Sequence, residues 1–113
     1  MARVSYSRAA IRDLEEIGDY VAERLKNPIA ALNTVNKIQD AIDNLGEFPL
    51  MGAPLSSISY ADTDYRFLVC GSYLAFYRLD GEAALVDRIL YGKRDYLSVL
   101  FGGFPANCHP SSP

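Results

Sequence analysis

The stretch Arg88-Ile-Leu-Tyr-Gly-Lys-Arg-Asp-Tyr96 holds the side chains best suited to chemistry. An alternating apolar run meets a glycine, and two cations, Lys93 and Arg94, follow at once. Arg66, Arg78 and Arg88 add guanidinium groups on neighbouring strand-like runs. A planar guanidinium fork binds two oxygens together, so this set suits a phosphate or an acidic protein surface. Tyr91 and Tyr96 flank the two cations and are the phenols placed to touch a bound group. Tyr73 and Tyr77 read as packing residues. The bland reading is that Arg88 pairs with Asp87 or a helix carboxylate, and that Lys93 and Arg94 end a strand in solvent.

Other chemistries lack their residues. The only histidine, His109, stands beside Cys108 near the C-terminus, and two ligands are too few for a zinc site. That histidine is also too isolated to serve a nucleophilic triad. Gly71-Ser72 suits a hairpin turn and not a strand-to-helix phosphate loop. The expectation is a site with no metal and no cofactor.

The elements that must position the cations come next. A length of 113 residues, half of them hydrophobic, fits one domain with one core. We place that domain at residues 1–101 and a flexible tail at 102–113, where three prolines and two glycines occur. The net charge of −3 argues against strong general nucleic-acid binding. In the C-terminal half, however, the basic residues named above slightly outnumber the acidic ones. No apolar run approaches the roughly 20 residues of a membrane span. The first residues lack the apolar stretch of a secretory leader, so a cytoplasmic location is expected. Cys70 falls in a strand pattern and Cys108 in the tail, so no disulfide staple is expected.

Arg3-Val4-Ser5-Tyr6 alternates like an edge strand. Ser7 is a helix cap, and Ala10, Leu14, Ile17, Val21 and Leu25 then form one apolar stripe. Asn27-Pro28 breaks that helix and restarts another, with Leu32, Val35, Ile38, Ile42 and Leu45 as its stripe. Gly46 is expected in the left-handed conformation just past the second helix. Two amphipathic helices with almost no linker must fold back as an antiparallel hairpin and share a flat partner. Phe48 to Asp64 reads as a loop. Three strand-like runs follow, joined at Gly71-Ser72 and at Asp80-Gly81, so an antiparallel meander supplies the flat partner. Alternation puts Leu74, Phe76 and Arg78 on one face, and Tyr73, Ala75, Tyr77 and Leu79 on the other. It likewise sets Val86, Arg88 and Leu90 against Leu85, Asp87, Ile89 and Tyr91. Tyr96 to Phe101 reads as a short terminal turn. The expected fold class is α+β: an N-terminal strand and a two-helix hairpin packed on a small, mainly antiparallel sheet.

Tyr65-Arg-Phe-Leu-Val, Gly71-Ser-Tyr-Leu-Ala-Phe-Tyr-Arg78 and Arg88-Ile-Leu-Tyr-Gly-Lys-Arg-Asp95, in this order after a strand and two helices, resemble the RelE/ParE superfamily of bacterial toxins. The likeness spans roughly residues 2–101. It implies the toxin half of a type II toxin–antitoxin pair, with a small separate antitoxin that wraps it. RelE-like members cleave mRNA in the ribosomal A site; ParE-like members poison DNA gyrase and are not nucleases. For a nuclease, the resemblance implies Arg66 and Arg94 with Tyr91 or Tyr96. It also implies an arginine after the tyrosine of the Gly-x-Tyr strand, and a tyrosine about six residues beyond Arg94. This chain has Leu74 at the first position and Leu100-Phe101 at the second. An apolar Leu74 cannot stabilise a transferring phosphate. The resemblance is therefore closer to the ParE-like branch, with Arg66, Arg78, Arg88, Lys93 and Arg94 as contacts to a target. An mRNA endonuclease, or a degenerate toxin that binds only its antitoxin, are the alternatives.

Overall fold

The computed structural model describes residues 3–55, 64–92 and 100. Among them lie β1 (Arg3–Tyr6), α1 (Arg8–Leu25), α2 (Pro28–Asp43), β2 (Ala53–Pro54), β3 (Arg66–Cys70), β4 (Tyr73–Asp80) and β5 (Ala83–Tyr91). A 3-10 turn, Asn44–Gly46, follows α2. The expected tail, the turn expected over Tyr96 to Phe101 apart from Leu100, and Lys93, Arg94 and Tyr96 lie outside the described residues.

The helix starts follow from their caps. Ser7 Oγ accepts the Ala10 amide at 2.9 Å, and Asn27 Oδ1 accepts the amides of Ile29 and Ala30 at 3.0 and 3.2 Å. Pro28 takes the first helical position, where no amide hydrogen is needed. Lys26, at φ 50°, closes α1 in the left-handed conformation and hands the chain to Asn27. Gly46 does not behave as expected: it is not left-handed. Instead the chain tightens, and the amides of Glu47 and Phe48 both reach Asn44 O, at 3.1 and 2.9 Å. Those bonds satisfy helix-end carbonyl capacity without a left-handed residue.

The sheet order is β1-β5-β4-β3-β2. β1 runs parallel to β5, and the other neighbours are antiparallel. The fold is α+β, two helices on a five-stranded mixed sheet. β2 is an element that the sequence reads as loop; its two residues owe their extended state to pairing with Arg66 and Phe67 of β3. At the first hairpin Gly71 has φ 64°. At the second, Asp80 pairs with Ala83, so the turn residues are Gly81 and Glu82. The turn sits one residue later than Asp80-Gly81 reads, with Gly81 at φ 60° in the first central position. Glycine is favoured there because positive φ costs it little.

α1 lies over β5 and α2 over β3. Ala10, Leu14 and Ile17 of α1 and Ile38 and Ile42 of α2, with Leu45 just beyond, meet Ala75, Tyr77, Ala84, Val86 and Ile89 of the sheet. Leu25 and Leu32, expected in the two stripes, are instead 61% and 60% exposed. Both lie near the hairpin tip, beyond the reach of the sheet. A smaller cluster covers the other sheet face: Leu55, Tyr65, Phe76 and Leu90, with Phe67, Leu74 and Leu100 against it.

β4 alternates between these clusters as expected, but β5 does not. Phe76 pairs with Arg88, while its neighbour Tyr77 pairs with Val86, which leaves Asp87 as an extra residue. This bulge places Val86 and Ile89, three apart, in the same helix-side core, with Leu90 in the other cluster. Val86 and Leu90 therefore do not share a face, because one inserted residue reverses the alternation. The freed carbonyl of Asp87 accepts Ser7 Oγ at 2.6 Å. The same serine thus caps α1 and satisfies the bulge.

Candidate functional site

β1 ends at Tyr6, so β5 has an open edge beyond Val86. α1 closes that edge. The Ser7 amide donates to Val86 O at 2.9 Å, and the Ile89 amide donates to Asp13 Oδ2 at 2.9 Å. Arg88 then wraps onto Asp13, with Nε to Oδ2 and Nη2 to Oδ1 both at 2.8 Å. Asp13 is 5% exposed and carries three hydrogen bonds, which offset the cost of burying its charge. The hydrogen bonds that Arg88 donates to Asp13 are also the main reason that the Arg88 guanidinium is held more firmly protonated than usual. Arg88 is therefore committed to a helix carboxylate. Asp13 is a residue that sequence reasoning passed over. Its signal was present: it stands on the apolar stripe, three residues after Ala10 and four before Ile17.

Arg66 is turned toward the chain that leads into β2. Its Nη2 donates to Leu50 O at 3.1 Å and to Gly52 O at 2.5 Å. Tyr77 holds the same segment from beneath, accepting the Gly52 amide at 3.1 Å and donating to Pro49 O at 2.9 Å. Arg78, by contrast, is exposed and makes no ion pair among the described residues. Its guanidinium lies 5.0 Å over the Tyr65 ring. The Tyr65 hydroxyl in turn donates to Asp87 Oδ2. Burial, reinforced by that bond, pushes the Tyr65 phenol up to about 12.

Tyr91 is 46% exposed and meets Tyr73 edge to face, with centroids 5.9 Å apart and planes at 66°. The structure thus sets Arg66, Arg78 and Arg88 in three separate environments: a loop clamp, an exposed ring contact and a partly buried ion pair. Lys93, Arg94 and Tyr96 lie outside the described residues. Leu74 and Leu100 stand at two positions where the nuclease branch implies an arginine and a tyrosine. They pack against one apolar cluster on the sheet face away from the helices. Among the described residues no group of three or more His, Cys, Asp or Glu could hold a metal ion. No described helix is long and apolar enough to cross a membrane.

Comparison with solved structures identifies the fold class. The chain is similar to a structure of the chromosomal ParDE toxin–antitoxin system from P. aeruginosa. The TM-score is 0.67 at 24% identity, over 80% of this chain and 96% of that one. It is also similar to the RelBE2 toxin–antitoxin complex from Mycobacterium tuberculosis, with TM-score 0.51, 19% identity, and 80% and 96% of the two chains covered. A third likeness is to YafQ from E. coli, with TM-score 0.53, 16% identity, and 90% and 100% covered. The fold is that of the RelE/ParE superfamily. Residues 4–96 match the family model described as the ParE toxin of the type II toxin–antitoxin system parDE, and the chain belongs to that family. A comparison with curated proteins gave no match.

Proposed function

We propose that this toxin arrests growth by poisoning DNA gyrase in the cytoplasm, without cutting RNA, and that a cognate antitoxin neutralises it. One observation carries the choice of target. The sheet face on which the nuclease branch implies catalytic side chains is closed by Leu74 and Leu100, packed on Leu55, Tyr65, Phe76 and Leu90. Leu74 and Leu100 themselves offer neither charge for a transferring phosphate nor a proton donor. Of the remaining basic groups, Arg88 is tied to Asp13 and Arg66 to backbone carbonyls. That leaves Arg78, Lys93 and Arg94 to contact a target.

The antitoxin has a surface to cover. A groove between α1 and α2 is lined by Ile11, Leu14, Ala31, Leu32 and Val35, with Glu15 and Asp19 also lining it. Ile11 and Leu32 are 48% and 60% exposed there, and Ile29, near the start of α2, is 70% exposed. An amphipathic segment with apolar and basic side chains complements such a groove.

The deciding experiment adds purified protein to gyrase supercoiling and cleavage-complex assays, beside a ribosome-dependent mRNA cleavage assay. Stabilised cleavage complexes without codon-positioned cuts are expected. Codon-positioned cuts with gyrase untouched would reverse the reading. Inactivity in both assays, with normal growth on strong expression, would point to a chain that only binds its antitoxin.

A further inference from the structure

We propose that the cleft between α1 and the C-terminal end of β5 receives a cationic side chain, an arginine or lysine, presented by a segment of a partner protein. The cleft has a volume of about 520 Å³, within the usual range for binding sites. Tyr20, Tyr73 and Tyr91 line it above an apolar floor that includes Ile17 and Ile89. Tyr20 and Tyr91 are 56% and 46% exposed, so both side chains reach solvent. A cation over a tyrosine face is drawn by the ring quadrupole, and the aliphatic stem of arginine or lysine can lie on the apolar floor.

The charges select the occupant. Asp13 reaches the cleft but is neutralised by Arg88. Arg24, also at the cleft, lies 5.8 Å over the Tyr20 ring and donates to Tyr20 Oη at 3.1 Å. Its placement demonstrates that this ring accepts a guanidinium. Glu16 remains: it lines the cleft, is exposed, and makes no ion pair among the described residues. Glu16, whose charge also acts on the Arg88 guanidinium, stands beside three tyrosine rings, and together they favour a cation over an anion or a neutral group. Tyrosine-rich pockets of this kind are where protein partners concentrate binding energy. The inference goes beyond the proposed target, because it holds whichever macromolecule the toxin acts on. Its test is therefore a binding measurement and not a toxicity assay.

The measurement is an NMR titration of the full chain with the capped peptide acetyl-Gly-Arg-Gly-amide and with its citrulline counterpart, which keeps the shape and loses the charge. The arginine peptide should give saturable shifts at the rings of Tyr20, Tyr73 and Tyr91, with binding about fivefold tighter than the citrulline peptide. Glu16→Gln and Tyr91→Leu should each weaken binding about fivefold. Arg24→Gln should tighten it, because the face of Tyr20 is vacated. Equal binding of the two peptides, the absence of saturable ring shifts, or weaker binding in Arg24→Gln would overturn the proposal. If Tyr91→Leu fails to fold, Glu16→Gln and Arg24→Gln, both at exposed positions, decide the matter.

Discussion

Asp13 and Arg88, 75 residues apart in sequence, form a two-pronged ion pair at the edge where β1 stops and β5 continues. The same carboxylate takes the Ile89 amide, so one side chain of α1 supplies the hydrogen bond that a neighbouring strand would otherwise provide. A helix side chain thus closes an edge that would be open to pairing with another chain.

Removing Asp13 should therefore be costly. Asp13→Ala leaves Arg88 and the Ile89 amide without their acceptor and is expected to lower stability by about 2–4 kcal/mol. Asp13→Asn keeps an oxygen for Ile89 and should lose less. Urea unfolding of both variants, and of the Asp13→Leu/Arg88→Met double variant, checks this. The double variant should recover much of the loss, because no uncompensated charge stays buried.

The segment before β2 hangs on Tyr77. Tyr77→Phe removes the hydroxyl that serves Gly52 and Pro49 and should cost about 1–3 kcal/mol with the fold retained. Gly52→Ala should cost more. Its Cβ would fall 2.6 Å from Tyr77 Oη and 2.6 Å from the backbone oxygen of Phe67, which cannot simply rotate away. Denaturation midpoints of the two variants give the order.

Alkaline pH should unfold the protein early. Burial raises the Cys70 thiol from 9.0 to about 11 and the phenols of Tyr6 and Tyr65 from 10.0 to about 12. The folded state holds these protons more tightly than the unfolded chain, so this stability is complete below the unfolded values. It is lost as pH rises through the folded ones. Stability should fall between about pH 9 and pH 12. Urea midpoints across that window should show a shallower fall in Tyr65→Phe than in the parent chain.

The antitoxin reading predicts a clean separation of binding from folding. Leu32→Glu, at an exposed position, should change stability by no more than about 0.5 kcal/mol. It should nonetheless weaken antitoxin binding about tenfold or more, by placing a carboxylate in an apolar groove. Calorimetric titration with the purified antitoxin measures the second effect and thermal melting the first.

Toxicity should depend more on Arg94 than on Arg78. Arg94→Ala is expected to rescue growth further than Arg78→Ala, in colony counts at equal protein level. Equal rescue would contradict the proposal that Arg94 contacts the target.

The sequence by itself determined what depends on near neighbours. Ser7, Asn27 and Pro28 start both helices through bonds and geometry within one turn, and the alternation of β4 sorts Ala75 and Tyr77 from Leu74 and Phe76. The family likeness rested on such local motifs and was legible for the same reason. Tertiary structure decided what depends on distant partners. Asp87 becomes a bulge where Ser7 takes its carbonyl, and Arg88 meets Asp13 only after α1 is laid along β5. Ala53 and Pro54 become a strand only because β3 offers an edge. Leu25 and Leu32 continue their stripes yet stay exposed, because burial is set by how far the sheet reaches, and residue spacing carries no record of that.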